Sequence, residues 1–118
     1  MSAEAAIYNA LTGLVASRIY PDVAQAESAL PRIVYQQVGG KSINYIENTV
    51  PDLKNGRFQI ASWATTRAAA TALALQVESL MITATSMQAR PIGAHISTHE
   101  PETGLYGAYQ DFDVWSAR

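Results

Sequence analysis

Cysteine is absent from this 118-residue chain, and so is any long apolar run. Without cysteine the chain has no disulfides, no thiolate zinc ligands and no cysteine nucleophile, which fits a reducing compartment. No segment approaches the roughly 18 consecutive apolar residues of a membrane span, and Met1-Ser2-Ala3-Glu4 lacks a basic region before an apolar core. We therefore expect a cytoplasmically made protein that is neither exported nor bound to a membrane.

Charged residues are also scarce. They make up 15% of the sequence, against about 25% in a typical soluble domain. The 8 basic and 10 acidic residues give a net charge of −2, and the basic ones are scattered from Arg18 to Arg118, which argues against tight nucleic-acid binding. Because a lone soluble domain needs charge over most of its surface, the composition predicts that other subunits cover part of this one.

The first half of the chain predicts a helix followed by a strand hairpin. Ser2 is a helix-capping residue, and helical spacing of the apolar residues after it predicts a helix from Ala3 to Arg18. A connection runs from Tyr20 to Leu30, and residues 31–38 are rich in β-formers. The stretch 41–56 is polar and turn-rich, so we expect a long projecting loop before the next strand.

A strand, a second helix and a second hairpin follow. Phe58 and Ile60 alternate with polar residues, and Thr65-Thr66 offers a helix cap before the apolar period changes to about 3.6. Residues from Ala89 to Glu100 alternate as a strand, and Tyr106 to Ser116 forms its return strand after a Pro-Glu-Thr-Gly turn.

The length fits a single domain, residues 1–118, with the element order helix-strand-strand-helix-strand-strand. An antiparallel four-stranded sheet with two helices packed on one face satisfies this order most economically. The predicted fold class is therefore α+β with that architecture.

The second helix carries apolar residues on opposite sides. The stripe expected to face the core consists of Ala69, Leu73, Val77, Leu80 and Ala84. At about 100° per residue, Leu75 and Ile82 lie nearly opposite that stripe, where a monomer would expose them to water. Single exposed apolar residues are common, but the low charge of the chain favours a subunit interface at these two positions.

The predicted loop contains an apolar cluster in otherwise polar surroundings. Its members are Ile43, Tyr45, Ile46 and Val50. An exposed apolar cluster on a projecting segment typically meets a partner, and a loop folded back over its own sheet is the alternative.

Tyr109 and Trp115 alternate with Asp111 and Asp113 on one face of the predicted final strand. Carboxylates two residues apart on a strand are separated by about 7 Å, a spacing that paired acids use in glycosidases. No pocket signature accompanies the two acids. A subunit contact at Tyr109 and Trp115, or an outer face covered in another way, is therefore favoured over catalysis.

Neither a metal site nor a nucleotide site is predicted. His95 and His99 would share a strand face at a separation of about 13 Å, too far for one zinc ion with bonds of about 2 Å. Gly40-Lys41-Ser42 lacks the spaced first glycine of a phosphate-binding loop. We expect no catalytic residues, no cofactor and no metal ligands.

Short segments along nearly the whole chain carry a family resemblance. They are Tyr20-Pro21, Leu30-Pro31-Arg32-Ile33-Val34-Tyr35-Gln36, Arg57-Phe58-Gln59-Ile60 before an alanine-rich helix, and Tyr109-Gln110-Asp111-Phe112-Asp113-Val114-Trp115. In this order they resemble the tail completion, or tail terminator, family of long-tailed bacteriophages and prophages.

The resemblance implies a structural virion protein without catalytic activity. It implies a ring of six copies at the neck of the tail, which terminates the tail tube and joins tail to head after assembly in the host cytoplasm. The implied partners are further copies of this chain, the tail tube protein and the head–tail connector proteins, while DNA passes through the ring without specific binding. The alternative is a small ferredoxin-like α+β domain that binds a ligand or acts as an enzyme, because this element order recurs with many functions.

Overall fold

The computed structural model describes residues 2–24 and 29–118. Within these ranges the elements are α1 (Ala3–Leu11), a 3₁₀ helix (Thr12–Val15), β1 (Ile19–Pro21), β2 (Arg32–Gly39), β3 (Leu53–Ala64), α2 (Arg67–Thr83), β4 (Gln88–Pro91), β5 (Ile96–Glu100) and β6 (Leu105–Ala117). The strand order is β1-β2-β3-β6-β4, and β5 pairs with β6 beyond the end of β4. None of the helices in the described ranges is long and apolar enough to cross a membrane.

The predicted antiparallel four-stranded sheet is wrong in strand number and in direction. The described residues form a six-stranded mixed sheet, in which β1 runs parallel to β2. The N–H of Ile33 donates to the Arg18 carbonyl at 3.0 Å, and the N–H of Asp22 donates to the Tyr35 carbonyl at 2.8 Å. β1 has three residues and ends in proline, so it is too short to show a two-residue period. The sequence pattern therefore assigned Tyr20 and Pro21 to a connection.

The first helix ends earlier than the predicted Arg18. It ends at Leu11 and passes into the 3₁₀ helix, after which Ala16 and Ser17 adopt positive φ angles of 48° and 68°. These left-handed residues reverse the chain direction. Ile19, which fits the helical period, is thereby buried in β1 instead.

The predicted strand from Ala89 to Glu100 is divided into β4 and β5 by residues 92–95. Gln110 accounts for the break. Its buried side-chain amide donates to the Gly93 carbonyl at 2.6 Å and to the Glu78 carboxylate at 2.8 Å. The edge strand is therefore interrupted where it contacts the Gln110 side chain, which also links β6 to α2 by a hydrogen bond.

The two predicted hairpins and both helix caps are confirmed, but β3 already begins at Leu53, inside the predicted loop 41–56. β2 and β3 pair antiparallel on either side of the loop 40–52, and β5 and β6 pair around the turn 101–104. The Ser2 hydroxyl accepts a hydrogen bond from the Ala5 N–H, and the Thr66 hydroxyl accepts one from the Ala69 N–H, each at 3.1 Å.

α1 and α2 pack on the same face of the sheet over one apolar cluster. At its centre, Phe58 and Phe112 lie opposite each other on β3 and β6 and are 1% and 0% exposed. The buried residues of α2 are Ala70, Leu73, Ala74, Val77 and Met81. The predicted core stripe is thus rotated, because Ala69 and Leu80 are exposed.

Tyr35 gives the stability a pH dependence in the alkaline range. Burial raises the pKa of its phenol above the ordinary value of 10.0, and the nearby charges of Glu4 and Asp22 raise it further. Because the pKa is raised in the folded state, folding favours the neutral phenol. The contribution of Tyr35 to the free energy of unfolding is therefore complete below about pH 10 and is lost as the pH rises through the folded-state pKa. In urea unfolding at pH 8 and pH 11, Tyr35→Phe should lose less stability with pH than the wild type. Identical pH dependence in wild type and Tyr35→Phe would contradict this assignment.

Candidate interaction surfaces

The sheet has one covered face and one open face. Even-numbered residues of β3 and β6 point into the core beneath the helices, and odd-numbered residues point to the opposite side. No helix among the described residues covers that opposite side, which we call the open face. Its residues on β3 and β6 include Arg57, Ala61, Trp63, Tyr109, Asp111, Asp113 and Trp115.

One end of the open face is a network of charged and amide groups. Arg57 forms an ion pair with Asp111 at 2.7 Å, and Arg90 contacts Asp113 at 3.6 Å. The Asn55 amide also donates to the Asp113 carboxylate at 2.6 Å. The two acids that alternate with Tyr109 and Trp115 are therefore both engaged with basic partners.

The other end of the open face is more apolar. The Trp63 ring lies directly over Gly107, where an added Cβ would come within 2.8 Å of the ring. Tyr109 pairs with Ala61 across the strands and lines a shallow cavity together with Ile96. These side chains are only partly buried, except for exposed Ile96. This end of the open face is therefore a broad, partly exposed surface of aromatic and aliphatic groups.

The loop 40–52 is held firmly at its base. Gly40 adopts a φ of 137°, and a Cβ at this position would lie 2.8 Å from the Asn55 carbonyl oxygen. The next residue, Lys41, donates its N–H to the Asn55 side-chain oxygen at 2.9 Å. Only glycine permits this close approach with a positive φ, so the position from which the loop projects is fixed.

Beyond its base the loop exposes the predicted apolar cluster. Ile46 is 98% exposed and Val50 is 69% exposed, while Ile43 and Tyr45 are 37% and 45% exposed. Ile46 and Val50 are therefore not covered by the sheet, whereas Ile43 lines a cavity together with Gln37 and Asn55 at the ends of β2 and β3. In a single copy of the chain, the four side chains are exposed to solvent.

A row of exposed small and apolar residues follows the outer side of α2. The row, which we call the α2 stripe, consists of Ala68, Ala72, Leu75, Ser79 and Ile82. Its spacing alternates between four and three residues, the pattern that keeps side chains on one side of a helix against a partner. Leu75 and Ile82 are about half exposed, as predicted. The three small residues carry no comparable signal in the sequence, because alanine and serine are common on exposed helix surfaces.

Ile82 also lines a cleft at the β4 edge of the sheet, together with Trp115. This β4-edge cleft has a volume of about 320 Å³, and Met87 and Arg90 contribute to its wall. The structure thus brings two predicted residues together from distant parts of the chain. Met87 lies outside the predicted elements, and Arg90 lies in the predicted strand from Ala89 to Glu100, where the alternation gave no indication of a cleft.

The eight predicted contact residues therefore divide among separate surfaces. Leu75 lies on the helix layer and Tyr109 lies on the open face, on opposite sides of the sheet. Ile82 and Trp115 meet at the β4 edge, and the loop cluster stands apart. One copy of the chain consequently presents different surfaces in different directions.

The two histidines, His95 and His99, lie in different local environments. His95 precedes β5, and His99 lies within β5 and stacks on the Tyr106 ring at a centroid distance of 4.4 Å. Among residues 2–24 and 29–118 there is no cluster of three or more side chains suited to hold a metal ion.

The fold of this chain is also found in a solved structure. A chain from a solved structure described as the virion of a native gene transfer agent particle shares the fold, with a TM-score of 0.64. The two chains are 16% identical, and the match covers 99% of this chain and 96% of the other.

The family assignment comes from the sequence itself. The family described as tail completion protein gp17 matches residues 2–117, and the chain belongs to this family. It is therefore a virion structural protein of the tail completion class, which confirms the resemblance found in its sequence. A search of curated proteins found no match.

Proposed function

We propose that copies of this chain form a closed ring, with six members, that terminates the tail tube and joins the tail to the head. Membership of the tail completion family supports this function. The observation that carries the ring is the pair of different uncovered surfaces on opposite sides of the sheet, the α2 stripe and the open face.

A ring requires such a pair of surfaces. In a head-to-tail interface, one patch of each subunit meets a different patch of the next, and the assembly closes when the rotation between neighbours divides a full turn evenly. Six members need a rotation of about 60° at each interface. In our proposal the donor side consists of the loop and of the part of the open face around Tyr109. The acceptor side consists of the α2 stripe and the β4-edge cleft, to which Asp113 and Trp115 belong.

A closed ring of a different protein gives a simple way to stop tube growth. Stacked tube rings present the same surface after every addition, so their growth has no intrinsic end. A ring that binds the last tube surface and offers a different one removes the next binding site. The far side of the ring would then bind a connector protein of the head, which places the chain at the neck of the virion after assembly in the host cytoplasm.

The charges of the chain suit passage of DNA without specific binding. Six copies at a net charge of −2 each carry −12, which offers phosphates little attraction. Arg57 and Arg90 on the open face already contact Asp111 and Asp113. We propose that residues 1–118 act as one domain with a purely structural role, without a cofactor or a catalytic step.

The mass of the purified chain in solution tests the ring. We expect light scattering over a concentration series to show a species near six times the 12.7 kDa chain mass, or a mixture that shifts toward it with concentration. A strict monomer at millimolar concentration would contradict the proposal and would favour the alternative, a small ligand-binding domain.

A further inference from the structure

The outer part of the loop 40–52 and the β4-edge cleft are complementary. Within one copy, only the base of the loop, at Gly40 and Lys41, shares a cavity with Arg90 and Asp113 of the cleft, and Ile46 does not line the cleft. We propose that the loop of each copy inserts into the β4-edge cleft of the next copy, with Ile46 as the anchor and Glu47 paired with Arg90. This inference rests on the proposed ring and names the contact that links its subunits.

The apolar parts of the two surfaces match in size and chemistry. Ile46 is the most exposed of the large apolar side chains in the described residues, at 98%. The cleft of about 320 Å³ is walled by Ile82, Met87 and Trp115. At about 30 Å³ per water molecule, this volume corresponds to about ten, so the cleft has room for one isoleucine side chain and part of its neighbours. Docking would remove the apolar surfaces of both partners from water.

The charged groups at the rim also match. Glu47 directly follows Ile46 at the exposed part of the loop. Arg90 is on the wall of the cleft, its side chain is 82% exposed, and its contact with Asp113 is long, at 3.6 Å. Arg90 can therefore donate to a second carboxylate, because a guanidinium offers five N–H groups.

The positions of the loop and the cleft fit neighbours in a ring. The loop leads into the start of β3, where Asn55 pairs with Trp115, and Gln88 of β4 pairs with the same Trp115. Both surfaces thus lie at one end of the sheet, but the loop emerges at β2 and β3 while the cleft is at the β4 edge. In a ring whose axis runs along the strands, they would face each other at the same level.

A charge exchange between copies tests the pairing of Glu47 with Arg90. Glu47→Arg and Arg90→Glu should each weaken association at least tenfold, since each places like charges together. An equal mixture of the two variants should recover the mass of the wild-type assembly, because an even-numbered ring of alternating copies restores opposite charges at every contact. Glu102→Arg, in the exposed turn before β6, is the matched control and should assemble normally.

Recovery on mixing requires contacts between copies, since a loop bound to its own cleft would gain nothing from a second variant. If the wild type forms rings and the two single variants assemble equally well, the inference fails while the proposed ring stands. If the wild type forms no ring, both fail. Defective variants that do not recover on mixing would also overturn the pairing.

Because the chain has no cysteine, cross-linking gives an independent test. Oxidation of a variant carrying both Ile46→Cys and Ile82→Cys should produce a ladder of covalent oligomers that ends at six on a non-reducing gel. Ile46→Cys alone should give no species larger than a dimer. A ladder absent from the double variant, under conditions where wild-type rings are present, would contradict the docking of the loop in this cleft.

Discussion

Replacing Leu75 and Ile82 together by glutamate should abolish ring assembly while the chain still folds. Both side chains are about half exposed on the α2 stripe, and neither belongs to the buried set that includes Leu73 and Val77. Full burial of a leucine or isoleucine contributes about 1.5–3 kcal/mol. The interface would bury the exposed half of each side chain, so replacing both removes roughly 2 kcal/mol from each subunit interface. Two carboxylates without partners in the interface add a further cost, and we expect association to weaken more than about 100-fold.

A control with the same charge and the same spacing is available on α2. Gln76 and Thr83 are exposed, are seven residues apart like Leu75 and Ile82, and lie about 100° around the helix from them. Gln76→Glu combined with Thr83→Glu should therefore assemble. Circular dichroism establishes whether each variant folds, and light scattering gives its mass. Unfolding of the Leu75→Glu, Ile82→Glu variant would show that this side of α2 belongs to the core, and normal assembly would show that it is not an interface.

Complementation should fail when the loop cluster is made acidic. In a phage or prophage that lacks the gene, the wild-type chain should restore joined particles, whereas Ile43→Asp combined with Tyr45→Asp should lower the titre by several orders of magnitude. The reason is that the loop is fixed at its base by Gly40 and Asn55 and, in our proposal, these side chains contact a partner. Unpaired carboxylates at such a contact prevent its burial.

The matched control changes a polar side chain of the same loop. Ser42→Asp adds a charge next to Ile43 at a position that is already exposed and polar, and it should complement. Normal titres with Ile43→Asp, Tyr45→Asp would exclude the loop as a docking element, provided that immunoblots show equal amounts of the chains.

The sequence predicted the elements that depend on local signals. Thr66 identified the start of α2, and the alternation around Phe58 identified β3, because caps and periods are properties of neighbouring residues. β1 was missed since its pairing depends on hydrogen bonds to β2 from a segment of three residues. The break between β4 and β5 was missed because it depends on Gln110, which reaches Gly93 from another strand.

The same distinction applies to the candidate surfaces. Exposure of Leu75 and Ile82 followed from the angle between residues on a helix, which the sequence determines once the helix is recognised. The β4-edge cleft depends on the pairing of Gln88 with Trp115 and on the position at which α2 ends. Such long-range placement leaves no periodic pattern, so the meeting of Ile82 with Trp115 became visible only in the folded chain.

Electron microscopy of particles from a strain that lacks the gene tests the central claim most directly. If the chain is the ring that ends the tail tube and joins it to the head, the deletion should leave DNA-filled heads separate from tails, with tubes that are overgrown or unstable. The wild-type chain supplied in trans should restore joined particles with tails of uniform length. Intact particles with normal tails in the deletion strain would contradict the account.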